Sequence, residues 1–330
     1  MRKKRRKGPK CLNCDYQLDP AFEYCPSCGQ ENNNNQVSFK SLISDFFSNY
    51  FSLDSRFGRS FKPFFIQPGL LTKEFIDGKR VKYANPIRLY LVISLVHFFF
   101  FSIEADRKAK GEKGIIQFNN IPTSSYSQDS VAATKAQVKS PNASVDEEWF
   151  LSDEEFDLLI DLSADKIGDY SVEEISDSLR LERKSWMSRY ILHQIIKVIK
   201  SDDHSLNMFL VRNIPITMFF ILPLFGLILK LLFRKKLYIN HLIHSLHLHS
   251  FAFMLLTIMW IGQLFYENFS NITGPFFIGG IVLYVLISMH HAYSVKWGEA
   301  IWKLILTSLL YIPLLVAGLI TVALVSFLTF

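Results

Sequence analysis

Apolar residues in this chain are gathered into blocks separated by polar stretches. From Val37 onward, Phe39, Leu42, Ile43, Phe46, Phe47, Tyr50 and Phe51 recur at three- and four-residue steps, with Ser, Lys, Asp and Asn between them. This is the pattern of one face of a helix. The segment is too short and too polar to cross a bilayer, so it is expected in the interface or packed on a bundle. Arg56, Arg59 and Lys62 then interleave with Phe57, Phe61, Phe64 and Phe65. Such a mixture could stack single-stranded nucleic acid, but beside a membrane span it reads as an interfacial anchor. Pro68–Gly69 marks a turn, a short helix is expected over 70–76, and Gly78 should end it.

Five later blocks reach the ~20 apolar residues that cross a hydrocarbon core of ~30 Å. They cover residues 87–103, 214–233, 242–265, 276–293 and 301–327, the first opened by Pro86 and carrying His97 inside it. The polar stretch 104–213 divides the first block from the others. Its first part, 104–148, is rich in Ser, Lys, Asn and Gln and reads as a disordered linker. Ser152 with Glu155, and Ser171 with Glu174, read as capping boxes opening two helices. A third helix is expected over 186–200, with Tyr190, Ile191, Ile195, Val198 and Ile199 as its apolar positions. The run from Asp161 to Asp169 does not make an EF-hand, because Gly168 falls at loop position eight instead of six. No serine–histidine–acid order, phosphate loop or nucleotide fingerprint is present.

Charge turns this pattern into a topology. The net charge of +6 would suggest nucleic acid if it were uniform, but it is distributed unevenly. Fifteen Lys and Arg stand against eight acids before the first span, whereas residues 104–213 hold fourteen basic and twenty acidic residues. The loop Arg234–Asn240 is basic, and the loop Tyr266–Pro275 has no Lys or Arg. The positive-inside rule then places the N-terminus in the cytoplasm, the C-terminus outside and the long insert outside. The basic tail MRKKRRKGPK precedes no apolar h-region, so it is not a signal peptide; it suits anionic lipid head groups.

The chemistry-bearing residues lie at the N-terminus. All four cysteines sit in CLNCDYQLDPAFEYCPSCGQ, as two Cys-x-x-Cys pairs. Two such knuckles close a four-sulfur tetrahedral site, which suits zinc. Cys11, Cys14, Cys25 and Cys28 are therefore the expected structural zinc ligands. Asp15 stands where Gly29 stands in the second knuckle, and Asp tolerates the left-handed backbone needed there. The expected organisation is a basic tail (1–10), a zinc ribbon (11–30), a polar linker (31–36), an amphipathic interfacial region (37–85), a first transmembrane helix (86–103), a polar insert (104–213) and four more transmembrane helices (214–330). The fold class is an all-α integral membrane helical bundle with a small N-terminal zinc ribbon and an extracytoplasmic helical insert.

The order of these features is distinctive. Two CxxC pairs end in Cys-Gly-Gln; an amphipathic Phe-rich segment, Pro-Gly, Gly-Lys-Arg-x-x-Tyr-x-x-Pro and a hydrophobic span follow. Over Cys11 to about Ile103 this resembles an uncharacterised bacterial membrane-protein family, domain of unknown function 3667. The resemblance implies a zinc ribbon fused to a helical membrane domain, in a bacterial inner membrane, and it implies no activity.

Histidines form the second group. His241, His244, His247 and His249 open the third span, and His290 and His291 close the fourth. One reading is a second metal or proton site at the cytoplasmic end of the bundle. The other is that these imidazoles hydrogen-bond backbone and head groups. The function expected from the whole chain is non-enzymatic, with the ribbon docking a protein partner and lipids surrounding the spans; nucleic acid is not an expected partner. The alternatives are a membrane-embedded metal-dependent enzyme or redox protein using the histidines, and a transporter, for which only His97, Gln263 and a few Ser and Thr are available mid-bilayer.

Overall fold

The structure, a computed structural model, describes residues 7–19, 21–32, 55–110, 186–201, 203–266 and 268–329. The segment 37–51 and both capping boxes lie outside them. Among the described residues the fold is all-helical, with two isolated β-bridges in the N-terminal module. The helices are α1 (Ser55–Ile66), α2 (Leu70–Ile76), α3 (Pro86–Lys110), α4 (Trp186–Lys200), α5 (Asp203–Leu232), α6 (Tyr238–Phe265), α7 (Phe269–Tyr293) and α8 (Trp297–Thr329). Five of them, α3 and α5 to α8, are long and apolar enough to cross a membrane. They outrun the apolar blocks in the sequence. α7 begins at Phe269 and carries Pro275 inside it, because a helix can continue through polar turns that a hydrophobicity count excludes. Contacts divide the chain into two compact units, Met1–Glu104 with Ile214–Ile320, and Ala105–Asn213 with Thr321–Phe330.

In the larger unit the directions of the helices follow from their contacts. Along α3 and α6, His97 bonds Thr257 (3.2 Å) and Phe101 meets the ring of Trp260, while Tyr90 meets that of Phe253. The numbers rise together, so these helices run parallel. α6 and α7 are antiparallel, since His241 bonds Tyr293 (2.8 Å) and Phe251 stacks on Tyr284 at 3.4 Å between ring centroids. α5 is antiparallel to α6, through the Ser245 hydroxyl on the Leu222 carbonyl (3.2 Å) and Gly226 against Leu242. It is also antiparallel to α8, through Phe225 on Tyr311 and Gly318 against Ile221. These alternating directions are what successive crossings of one bilayer require.

The starts of α3 and α6 are not level. Tyr90 opposes Phe253, yet α3 begins at Pro86 and α6 at Tyr238. At 1.5 Å per residue, the three pairs make α6 extend roughly 10–16 Å further on that side. The hairpin of α1 and α2 occupies the space over the start of α3. Phe64 is buried against Phe251 and Tyr284, and the Tyr284 hydroxyl donates to the Phe64 carbonyl (2.9 Å). The Ser60 hydroxyl accepts the Ala84 N–H (2.9 Å) just ahead of α3. Leu71 and Phe75 of α2 join the same core. Of the aromatic residues expected here as an interfacial anchor, Phe64 is core instead, while Phe61 and Phe65, like Ile66, are exposed. The Pro68–Gly69 turn is pressed on α7. Gly69 has φ 85°, and a Cβ there would lie 2.7 Å from the Ser288 carbonyl oxygen, so both backbone conformation and close approach select glycine.

In the smaller unit, α4 forms where the periodicity puts it, but among its described side chains the buried ones are Leu192, Gln194 and Ile196, and Tyr190 is exposed. The Tyr190 hydroxyl bonds the Leu328 carbonyl, and the Asn213 amide donates to the Ser326 hydroxyl (2.8 Å).

Candidate metal centre

The two knuckles repeat one backbone design. In each, the first cysteine's N–H bonds the carbonyl five residues on, Cys11 to Tyr16 and Cys25 to Gln30, both at 2.8 Å. Each first-cysteine carbonyl accepts the N–H four residues on, from Asp15 (3.0 Å) and Gly29 (2.9 Å). Asp15 and Gly29 have φ 62° and 74°, so the left-handed residue comes at the same step in both. β-Bridges pair Lys10 with Gln17 and Tyr24 with Glu31. The hydrogen-bonded module is wider than the cysteines suggest. Asn32, buried, accepts the Gly8 N–H (3.0 Å) on its side chain and donates its own N–H to the Glu23 carbonyl (2.7 Å). The first two residues of the expected linker are therefore part of the ribbon.

The four sulfurs converge. The ligand atoms of Cys11, Cys14, Cys25 and Cys28 all lie within 4.8 Å of one another. Cys11 to Cys28 and Cys14 to Cys25 are each 3.6 Å. Metal–sulfur bonds of ~2.3 Å at tetrahedral angles would put sulfurs about 3.8 Å apart, so four thiols at this spacing fit one metal ion. No cysteine is in a disulfide. The thiols differ in environment. The Tyr16 N–H, bonded to Cys14, draws that exposed thiol down to about 7. Burial pushes Cys28 up to about 12 and raises Cys11. With Cys11, Leu18, Cys25 and part of Cys28 as its hydrophobic interior among the described residues, the module has little apolar core to fold on.

Beyond the cysteines, the structure adds Gln30. Its amide NH2 donates to the Gly78 carbonyl (2.8 Å), and its amide oxygen accepts the Arg80 N–H (3.1 Å). Leu12 packs on Gly78, where a Cβ would come within 2.8 Å of the Leu12 side chain and φ is 100°. The ribbon is thus seated on the loop between α2 and α3. Glu74 braces that loop through Lys79 (2.6 Å) and Lys82 (2.8 Å). Burial works against Glu74 ionising, but the hydrogen bonds from the two ammonium groups prevail and hold its carboxyl below the usual range. The same bond raises Lys82.

The histidines are placed differently. Residues 241–250 of α6 are all buried, and each imidazole meets another element. His241 bonds Tyr293 of α7. His244 (3.3 Å) and His247 (2.8 Å) share the Thr72 hydroxyl of α2. A hydroxyl has one proton, so one of these Nδ1 atoms accepts it and the other donates. His249 donates Nδ1–H to the Ser245 carbonyl (2.9 Å), which leaves Nε2 to accept from Tyr311 (2.7 Å). His290 and His291 donate to the carbonyls of Val295 (2.6 Å) and Pro68 (2.9 Å). The Nε2 atom of His244 is buried without a hydrogen-bond partner, whereas His241 has the Phe233 and Lys236 backbone beside it. Among the described residues, the group of three or more possible ligands gathered for one ion is the four cysteines. His97 bonds Thr257 and stacks on Phe253, as a lone satisfied core histidine would. Thr72, Tyr293 and Tyr311 carry the contacts of the third-span histidines, and none has a spacing that marks it in the sequence.

The model of a family described as protein of unknown function (DUF3667) matches residues 54–98. That segment is α1, α2, the loop that seats Gln30, and the first half of α3. No curated protein and no solved structure matches the chain.

Proposed function

We propose that this protein is a non-enzymatic multispan membrane protein whose N-terminal ribbon, held by zinc, docks a protein partner in the cytoplasm. A set of four thiolates in tetrahedral array favours zinc over harder cations. The positive-inside rule supports the cytoplasmic placement. The observation that carries the docking role is on the ribbon surface. Tyr16, Phe22 and Tyr24 are 47%, 42% and 60% exposed on a module of little more than twenty residues, while its Gln30 is fixed to the chain's own membrane unit. Exposed aromatics on a rigid support suit a protein interface. A photo-reactive residue at Tyr24 in the full chain tests this in cells. The expected result is a discrete protein adduct, reduced on the order of tenfold by Tyr16→Ser with Phe22→Ser. Adducts with lipid alone, or a protein adduct indifferent to both substitutions, would overturn it.

A second reading rests on the unpartnered Nε2 atom of His244, which favours a metal or proton role for the histidines and with it a membrane-embedded enzyme. Metal retained after the ribbon cysteines are replaced would support it; metal content at background removes the metalloenzyme.

A further inference from the structure

We infer that metal at the four cysteines controls the loop Gly78–Arg80 and the seat of α2 on α6. This rests on the reading of the cysteines as a metal site. The contacts form one continuous path. Cys28 is two residues from Gln30, whose N–H also donates to the Cys28 sulfur. The Gln30 carbonyl closes the second knuckle by accepting the Cys25 N–H (2.8 Å). Its side chain makes the two bonds to Gly78 and Arg80. Gly78 follows Asp77, the C-cap of α2, and its N–H bonds the Phe75 carbonyl (3.2 Å). Thr72, one turn earlier on α2, holds His244 and His247. The same residue, Gln30, therefore fixes the metal knuckle with its backbone and the membrane unit with its side chain.

The direction of control follows from the energetics of the two ends. A module with so small an apolar interior takes its order from the metal. Losing the metal opens the knuckle that positions Gln30, and both bonds to the loop go together. α2, a helix of seven residues (Leu70–Ile76), is too short to be stable by itself, so its order depends on contacts at its end as well as on its buried face. The ribbon then acts as a metal-dependent clamp on α2, and through Thr72 on the histidine-rich start of α6.

Lys79 and Arg80 are half-buried trypsin sites within the clamped loop, and Arg234 is an exposed one outside it. The test uses the full chain in nanodiscs, with and without a zinc chelator, with cleavage quantified by mass spectrometry and metal by elemental analysis. Cleavage after Lys79 and Arg80, relative to Arg234, should rise on the order of tenfold when metal is removed, the scale set by losing one buried and one part-buried hydrogen bond. Gln30→Ala should give the same rise while retaining about one metal per chain. Hydrogen exchange over Leu71–Phe75 should increase in both cases. Metal lost with no change at Lys79 and Arg80, or Gln30→Ala without effect, overturns the control. A protein that never holds metal overturns instead the metal-site reading beneath it.

Discussion

Two regions of this molecule concentrate residue types that can ligate metals, and they arrange them in opposite ways. In the ribbon, turns fold two Cys-x-x-Cys pairs back on themselves, and four sulfurs come within 4.8 Å of one another. At the start of α6, His241, His244 and His247 follow at three-residue steps on a helix. Each step falls about 60° short of a full turn and rises about 4.5 Å. His241 and His247 are then about 120° and 9 Å apart, and they reach different neighbours, Tyr293 and Thr72. Ligand type is the same kind of signal in both regions; chain geometry decides whether the ligands converge. The turn gathers, while the helix distributes.

The largest expected effect breaks the gathered site. Cys25→Ser with Cys28→Ser should take bound metal from about one per chain to background, since structural zinc contributes on the order of 10 kcal/mol to folding small modules. Elemental analysis with hydrogen exchange over residues 8–32 checks it. If metal stays at one per chain, the comparison inverts and the histidines hold the ion.

At the distributed site the effect should be smaller and of a different kind. Thr72→Val keeps the shape of the side chain but leaves both Nδ1 atoms of His244 and His247 without their shared hydroxyl. The expected loss is about 1–3 kcal/mol, the desolvation cost of unpaired buried polar groups, with metal content unchanged. Thr72→Ser should recover most of it. Thermal unfolding in detergent measures both. A Thr72→Ser protein as unstable as Thr72→Val would assign the effect to packing of the methyl group, not to hydrogen bonding.

Much of this was legible in the sequence because it is local. Cysteine spacing announces the knuckles, and Asp15 in the left-handed position (φ 62°) behaves as its residue type allows. Apolar runs announce the five long helices, and Gly78 (φ 100°) ends α2. What stayed hidden is contact between distant segments. Cys-Gly-Gln and Gly-Lys-Arg are each visible as motifs, yet nothing in either says that Gln30 bonds Gly78 and Arg80, 48 and 50 residues away. Nor does the sequence show that α2 fills the space over the start of α3. Without that, histidines at the end of a span look like interfacial groups facing lipid. With it, they are enclosed by protein, and residues such as Thr72 and Tyr311, unremarkable in sequence, become their partners. Residues 37–51, the clearest amphipathic pattern in the chain, lie outside the described part and leave that expectation where it stood.

The smallest expected effect concerns the brace beneath the ribbon. Glu74 is held below the ordinary carboxylate range in the folded protein by Lys79 and Lys82. The unfolded chain therefore takes up this proton first as pH falls. The contribution of Glu74 to stability is present above its unfolded pKa, near the usual ~4.3, and is lost as pH falls through the folded value. Lys82, raised by the same hydrogen bond, contributes at the other limit: its share is present below its unfolded pKa and is lost as pH rises through the folded value. Because the two lysines are 35% and 43% exposed, solvent screening keeps the sum below about 1 kcal/mol. Glu74→Gln should accordingly lower stability slightly at pH 7, and the gap from the native protein should close toward pH 3 and shrink in high salt. Unfolding midpoints of both proteins across that range measure it. A gap that widened toward acid would reverse the sign and show that the loop's hold on the ribbon does not depend on Glu74 being charged.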